Sequence, residues 1–219
     1  MVKLQKDYFM DEKIPLYQHP DHFHFNTDTK LLAQFMELRK EESVLDIGTN
    51  NGVLLLAADK SEVSKLIGVE VLEEAIKIAQ INLETFGKHP FLLYCKKVQE
   101  LDIEPVDVIL SNPPFFTQLA THANTKVDMR QLGRIEQNLT LEQLICHAHR
   151  LLKSNGRFYF VHRPNRINEI FQLLSKYCFS VRRIQFVYAK TKPYAKSVLI
   201  EAYHERMCDA KVEKPIILE

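Results

Sequence analysis

The sequence predicts a doubly wound α/β domain, with a seven-stranded, mostly parallel sheet covered by helices and closed by an antiparallel C-terminal hairpin. Three observations predict it. From residue 44 onward, short apolar runs of strand length alternate with longer stretches whose apolar residues recur at helical spacing. A glycine-bearing turn, Gly48 to Gly52, joins the first of those runs directly to an apolar helix. The last two runs follow one another with only a loop between them, which suits an antiparallel edge pair.

The elements follow in order. Residues 1 to about 22 are polar and aromatic without clear periodicity, and Asp28–Leu38 reads as an amphipathic helix with Leu31, Leu32, Phe35 and Met36 on one face. After the charged break Lys40-Glu41-Glu42, Val44–Ile47 is a short buried strand running into the turn and a helix from Val53. Strands follow at Leu66–Glu70, Phe91–Cys95, Val106–Leu110, Arg157–Val161, Val181–Val187 and Ser197–Tyr203. Helices are expected at Leu72–Phe86, Leu139–Leu152 and Ile167–Tyr177, and Tyr188–Lys196 is the loop of the terminal hairpin. Thr117–Gln137 has no assignable element, and stretches of that length inside a domain usually carry function or stay disordered.

Composition narrows the class. The 219 residues are 46% hydrophobic and 26% charged, enough for one domain with a true core. We read residues 1–219 as a single domain whose first 40 residues cap the ligand side. Residues 1–123 hold 12 Lys/Arg against 19 Asp/Glu, and residues 124–219 hold 17 against 9, so a net charge of +1 conceals halves of −7 and +8. A basic half suits a polyanionic partner, although solvated helix faces would give the same count. Cys95, Cys146, Cys178 and Cys208 form no CxxC pair, which argues against clustered zinc and for free thiols in a reducing cytoplasm. No signal peptide is legible, and the longest apolar run, Val53–Ala58, is too short for a bilayer. His19, His22 and His24 match no common metal spacing, so neither a metal nor a membrane is expected.

Asp46-Ile47-Gly48-Thr49-Asn50-Asn51-Gly52 lies where the crevice of a doubly wound sheet opens, and glycine there lets a ligand approach the backbone. Glu70 ends the next strand, placed to accept ribose hydroxyls, with Val71 behind it. A plain tight turn with a capping acid is the bland alternative. A nicotinamide site would want G-x-G-x-x-G, which the turn lacks. The candidate cofactor set is Asp28, Asp46, Gly48, Thr49, Asn50, Gly52, Glu70, Val71 and Asn112, and the likeness of the turn to methyltransferase turns implies S-adenosylmethionine (SAM) as its ligand.

Ser111-Asn112-Pro113-Pro114-Phe115-Phe116 follows the fourth strand and is the strongest signal in the chain. Asn-Pro-Pro-aromatic at that place is the signature of methyltransferases acting on planar amino groups. Such a nitrogen is a poor nucleophile because its lone pair is delocalised. Two acceptors, the Asn112 side-chain oxygen and the Pro113 carbonyl, can hold both amino protons and turn the lone pair toward an electrophile. Pro113 and Pro114 stiffen the segment, and Phe115 offers a stacking face worth about 1–3 kcal/mol per base. Phe116, Arg130, Arg134, Arg182, Arg183, Lys192 and Lys196 are candidate substrate or RNA contacts.

With these motifs in place the chain resembles the bacterial tRNA1(Val) adenine N6-methyltransferase family over nearly its whole length. The resembling segments are Phe23-His24-Phe25-Asn26-Thr27-Asp28-Thr29-Lys30-Leu31-Leu32, Asp46–Gly52, Glu70, Asn112–Phe115 and Arg134-x-Glu136. It departs from the family at Asn50 for glycine, Lys97 for an acid, Phe115 where Tyr is commoner, and a short C-terminus. Asn tolerates positive φ, so the turn can survive. Glu100, Asp102 or backbone groups are left to meet the cofactor's adenine.

The resemblance implies a Rossmann-like class I SAM-dependent methyltransferase that modifies N6 of an adenine in tRNA beside the anticodon; a cytoplasmic location is expected, and a monomer is favoured. The competing enzyme readings are a guanine-N2 methyltransferase of ribosomal RNA, which usually has His where Phe116 stands, a glutamine-amide methyltransferase, and a DNA methyltransferase. The last two normally carry an additional domain. A catalytically silent SAM-fold binding protein is the alternative outside enzymes.

Overall fold

The computed structural model describes residues 4–10, 13–19, 24–113 and 139–219. An N-terminal hairpin, β1 (Gln5–Phe9) and β2 (Ile14–Gln18), precedes helix α1 (Thr27–Phe35). Then come β3 (Ser43–Ile47), α2 (Val53–Ala58), β4 (Lys65–Glu70), α3 (Glu73–Phe86), β5 (Phe91–Cys95) and β6 (Val106–Ser111). After the undescribed stretch follow α4 (Leu141–Leu151), β7 (Leu152–His162), α5 (Ile167–Lys176), β8 (Phe179–Ala189), β9 (Ala195–His204), β10 (Lys211–Val212) and β11 (Ile216–Leu218).

Among the described residues the main sheet has nine strands in the order β10-β8-β9-β7-β6-β3-β4-β5, with β11 also on β8. Strands β5, β4, β3, β6 and β7 are mutually parallel, and β9 runs antiparallel to both β7 and β8. The seven expected strands are present, and the two additional short ones pair in parallel with β8. The expected hairpin is longer than its sequence signal, since β8 reaches Ala189 and β9 begins at Ala195. Residues 5–18, read from sequence without periodicity, form the β1–β2 hairpin. Phe9, Ile14 and Leu16 are buried there, while Pro15 and Tyr17 on the other face are half-buried, so both faces look apolar in sequence.

Period-two alternation along the central strands divides the core between the two faces of the sheet. Val44, Leu66, Val108, Leu110, Tyr159 and Val161 pack with α1 and α2 residues on one face. Leu45, Ile67, Ile109, Phe158 and Phe160 pack with α4 and α5 on the other. The strand order reverses between β3 and β6, since successive strands go one way from β3 and the other way from β6. That switch point opens a crevice at the carboxyl ends of both strands.

Candidate active site

The turn leaving β3 is built for close backbone approach. Gly48 (φ 79°), Asn50 (φ 49°) and Gly52 (φ 78°) all have left-handed backbones. Asn50 thus holds the conformation that a glycine would, as the tolerance of Asn for αL allows. Gly48 and Thr49 N–H groups both donate to the Val69 carbonyl, at 2.9 and 3.1 Å, which ties the turn to β4. A Cβ on Gly48 would meet nothing within 4 Å, so the space over this residue is open.

Glu70 at the end of β4 gathers three backbone donors. Its Oε1 accepts from Val71 at 2.7 Å and Leu72 at 3.1 Å, and its Oε2 accepts from Asn50 at 3.2 Å. Burial pushes its carboxyl above the ordinary range, against those hydrogen bonds. Val71, next in line, is 37% exposed, unusually open for an apolar residue beside a crevice. Asp46 is almost wholly buried, and burial pushes its carboxyl up to about 7, with the Glu70 charge adding to the effect.

Asn112 follows β6 directly, at the other lip of the switch point. Its Nδ2 donates to Thr29 Oγ1 at 2.9 Å, while its Oδ1 is buried with no hydrogen-bond partner among the described residues. Asp46 Oδ1 and Thr49 Oγ1 are also buried, with at most each other as partner among the described residues. A buried polar atom left without a hydrogen bond costs about 1–3 kcal/mol, so Asn112 Oδ1 marks a place where a polar ligand would complete the set. Pro113 is buried beside Asn112. Pro114, Phe115, Phe116, Arg130 and Arg134 lie outside the described residues.

Asp28 is buried on α1 and turned toward the terminal hairpin. Ser197 Oγ donates to its Oδ1 at 2.6 Å and Arg163 Nη2 stands 3.4 Å from its Oδ2. Its carboxylate therefore fixes α1 to β9, adjacent to the Thr29 that meets Asn112. The hairpin turn carries Lys192, Tyr194 and Lys196, all exposed, with Tyr194 at 81%. By register, Ser111 is level with Phe160 and Ile200, so Leu199 is level with Asn112 and Ser197, two residues earlier on the antiparallel β9, lies beyond it toward the carboxyl ends of the parallel strands. Lys192 and Lys196 thus sit at the same end of the sheet as the crevice.

Arg182 and Arg183 do not. Arg182 donates to the Asp209 carbonyl at 3.3 Å. Arg183 points inward: it pairs with Glu201, Glu37 and Glu213, donates to the Phe35 carbonyl at 2.8 Å, and stacks 4.4 Å over the Phe35 ring. Arg183, expected as a substrate or RNA contact, here has its donors on three carboxylates and a carbonyl and acts as an internal tie. Lys97, Glu100 and Asp102 are all exposed, around a short 3-10 turn after β5.

Several site-forming residues escaped sequence reasoning. Asn82 lies on the buried stripe Ala75-Ile78-Ala79-Leu83 of α3. It bonds both polar groups of the Tyr17 backbone, at 2.6 and 3.0 Å, and donates to the Asn51 carbonyl at 2.8 Å. A lone amide in an apolar stripe was the available signal. Thr29 was legible as the third residue after the helix-capping Asn26. Ser197 and Arg163 carried none, since their partner Asp28 is far away in sequence.

Among the described residues no group of three or more His, Cys, Asp or Glu could hold a metal, and no helix is long and apolar enough to cross a membrane. A groove of about 750 Å³ lined by His149, Lys153, His204 and Glu205 lies at the amino end of the parallel strands, away from every candidate residue.

The comparisons agree with this geometry. A family model described as methyltransferase small domain matches residues 21–190. The tRNA1(Val) (adenine(37)-N6)-methyltransferase of Dyadobacter fermentans is 31% identical over 135 residues, 60% of this chain and 55% of that one. The protein of the same name from Proteus mirabilis is 30% identical over 185 residues, 79% of this chain and 70% of that one. The chain thus spans little more than half of the first relative and over two thirds of the second. Among solved structures, the M. jannaschii tRNA m1G37 methyltransferase superposes with a TM-score of 0.68 at 13% identity, covering 93% of this chain and 57% of that one. That likeness shows a fold shared with a solved methyltransferase. The chain belongs to the methyltransferase small domain family, within which it groups with the tRNA1(Val) (adenine(37)-N6)-methyltransferases.

Proposed function

We propose that the chain is a SAM-dependent methyltransferase acting on the N6 amino group of an adenine in tRNA, next to the anticodon. The observation that carries this is Asn112 Oδ1, a buried acceptor with no partner among the described residues at the carboxyl end of β6, across the switch point from the open space over Gly48. The names of the relatives supply the nucleotide.

The residues present fit the cofactor. The Gly48–Gly52 turn, Asp46, Thr49, Glu70 and Val71 would hold it, with Asp46 Oδ1 and Thr49 Oγ1 meeting at most each other among the described residues and Glu70 retaining free lone pairs. SAM supplies an electrophilic methyl group on a sulfonium. The protein's part is orientation. Asn112 Oδ1 and the Pro113 carbonyl accept the two amino protons, so the nitrogen lone pair is released from the ring and aimed. Phe115 and Phe116 stack on the base, and Arg130 and Arg134 contact the backbone. Asp28 acts through α1, holding the cap segment of residues 1–40 to the rest of a single domain. Lys192 and Lys196, at the crevice end of the sheet, meet phosphates, and exposed Tyr194 between them suits an unpaired base. The enzyme works in the cytoplasm, as a monomer.

The test is direct. Unmethylated total tRNA is incubated with the protein and methyl-labelled SAM, then digested to nucleosides. Label in N6-methyladenosine is expected. Label in N2-methylguanosine, or only in protein, would overturn the adenine assignment.

A further inference from the structure

We propose that Thr29, backed by Asn26, sets which end of the Asn112 amide faces the substrate, which makes Thr29 a positioning residue for methyl transfer. The inference rests on the reading in which Asn112 Oδ1 accepts an amino proton.

A carboxamide has two ends of nearly equal size and opposite polarity. If the Asn112 amide rotates by half a turn, an N–H donor replaces the acceptor and confronts the substrate's own N–H. Something must forbid that rotation, and shape alone does not. The hydrogen bonds around Thr29 do.

Thr29 Oγ1 has one proton and two lone pairs. It lies 3.2 Å from Asn26 Oδ1, 3.3 Å from the Asn26 backbone nitrogen and 2.9 Å from Asn112 Nδ2. Asn26 Oδ1 also takes the Thr29 backbone N–H at 3.0 Å. A backbone N–H can only donate, so the Asn26 atom opposite it is the oxygen, and that oxygen can only accept. That oxygen, at 3.2 Å, is also the acceptor that the Thr29 hydroxyl proton finds. The Asn26 backbone N–H, also an obligate donor, occupies one lone pair of Oγ1. One acceptor position remains, and only a donor can fill it.

Asn112 must present Nδ2 to Thr29 and, in consequence, Oδ1 to the crevice. The polarity of the site is thus set by two main-chain N–H groups in the cap of α1 and passed through one hydroxyl. A rotated Asn112 would set oxygen against oxygen unless the hydroxyl proton left Asn26 Oδ1, so the rotated state forfeits a hydrogen bond that the native one keeps.

The test uses the whole chain with two variants, Thr29→Val and Thr29→Ser, comparing kcat, KM for tRNA, SAM affinity by calorimetry and Tm. Thr29→Val removes the hydroxyl at nearly constant volume, and kcat is expected to fall by about 100-fold with SAM affinity retained. Thr29→Ser restores the hydroxyl and should restore kcat.

Unchanged kcat in Thr29→Val, equal loss in the Val and Ser variants, or loss of kcat matched by loss of SAM binding would each overturn the proposal. Failure of the underlying reading looks different, because Asn112→Ala would then remain active. A readout free of turnover is the Asn112 side-chain NH2 resonance, assigned by its disappearance in Asn112→Ala. It should move in Thr29→Val and return in Thr29→Ser. A resonance that does not move overturns the proposal whatever the activity.

Discussion

Glu70 Oε2 accepts the Asn50 N–H at 3.2 Å, so the acid that ends β4 holds the turn that leaves β3. With Val71 and Leu72 on its other oxygen, this one carboxylate organises both walls of the cofactor crevice. Removing it should loosen the fold and the ligand site together. Glu70→Ala is expected to destabilise the protein by about 2 kcal/mol, through backbone donors left without a charged acceptor. It should also weaken SAM binding by at least about tenfold, a loss of about 1.4 kcal/mol. Urea denaturation and calorimetry measure the two losses, and an unchanged SAM affinity would remove Glu70 from the site.

The turn separates backbone strain from ligand space. Gly48→Ala places a Cβ at φ 79° but meets no protein atom within 4 Å. Its stability cost should be about 1–2 kcal/mol, from the left-handed backbone alone, while SAM binding should be nearly lost because the methyl enters the cofactor's space. Asn50→Gly, by contrast, relieves a positive φ of 49° and should leave SAM affinity intact. Equal effects of the two variants on SAM affinity would contradict this.

Asp46 gives the stability a pH dependence with a defined sign. Its carboxyl is pushed up to about 7 in the folded protein, whereas an unfolded Asp titrates at about 3.9. Between those values the native state holds a proton that the unfolded state has released. Stability from this group is therefore full below about pH 4, falls as pH rises toward about 7, and is flat above. Asp46→Asn, measured without cofactor by urea midpoints across that window, should show a shallower decline. The slope that remains belongs in part to Glu70, whose carboxyl is also raised. Parallel curves for parent and variant would show that Asp46 is not the source.

The basic residues of the C-terminal half divide into two kinds. Lys192→Ala and Lys196→Ala should each weaken tRNA binding and lower the salt dependence of log K by about 0.7–0.9 per lost phosphate contact, with Tm unchanged. Arg183→Ala should do the reverse. It leaves the buried Glu201 carboxylate without its guanidinium, so a loss of about 3–5 kcal/mol in stability is expected. A Tm unaffected by Arg183→Ala would return that residue to the RNA-contact set.

The sheet was legible because its central strands are buried on both faces and read as continuous apolar runs, as in Val44–Ile47 and Val106–Leu110. The turn and Asn112 were legible because their chemistry is local: five consecutive residues in one case, a tetrapeptide in the other. What sequence concealed was long-range or directional. Asp28 reads as part of the cofactor set, and nothing in the sequence ties it to Ser197, 169 residues away, which donates to it. Arg183 reads as a surface charge until the bulge between Val181 and Arg183 and three carboxylates account for its inward course. The Asn26-x-x-Thr29 pattern announces a helix cap, but nothing in it says that the same hydroxyl reaches β6.

The central claim is that the Asn112 amide oxygen orients the amino group for transfer. Single-turnover methyl transfer from labelled SAM to unmethylated tRNA, comparing the parent with Asn112→Ala, tests it most directly. The account predicts a loss of at least about 100-fold in rate, as for removal of one group preorganised for the transition state, with SAM affinity preserved. A variant that methylates adenine at the parent's rate would contradict it.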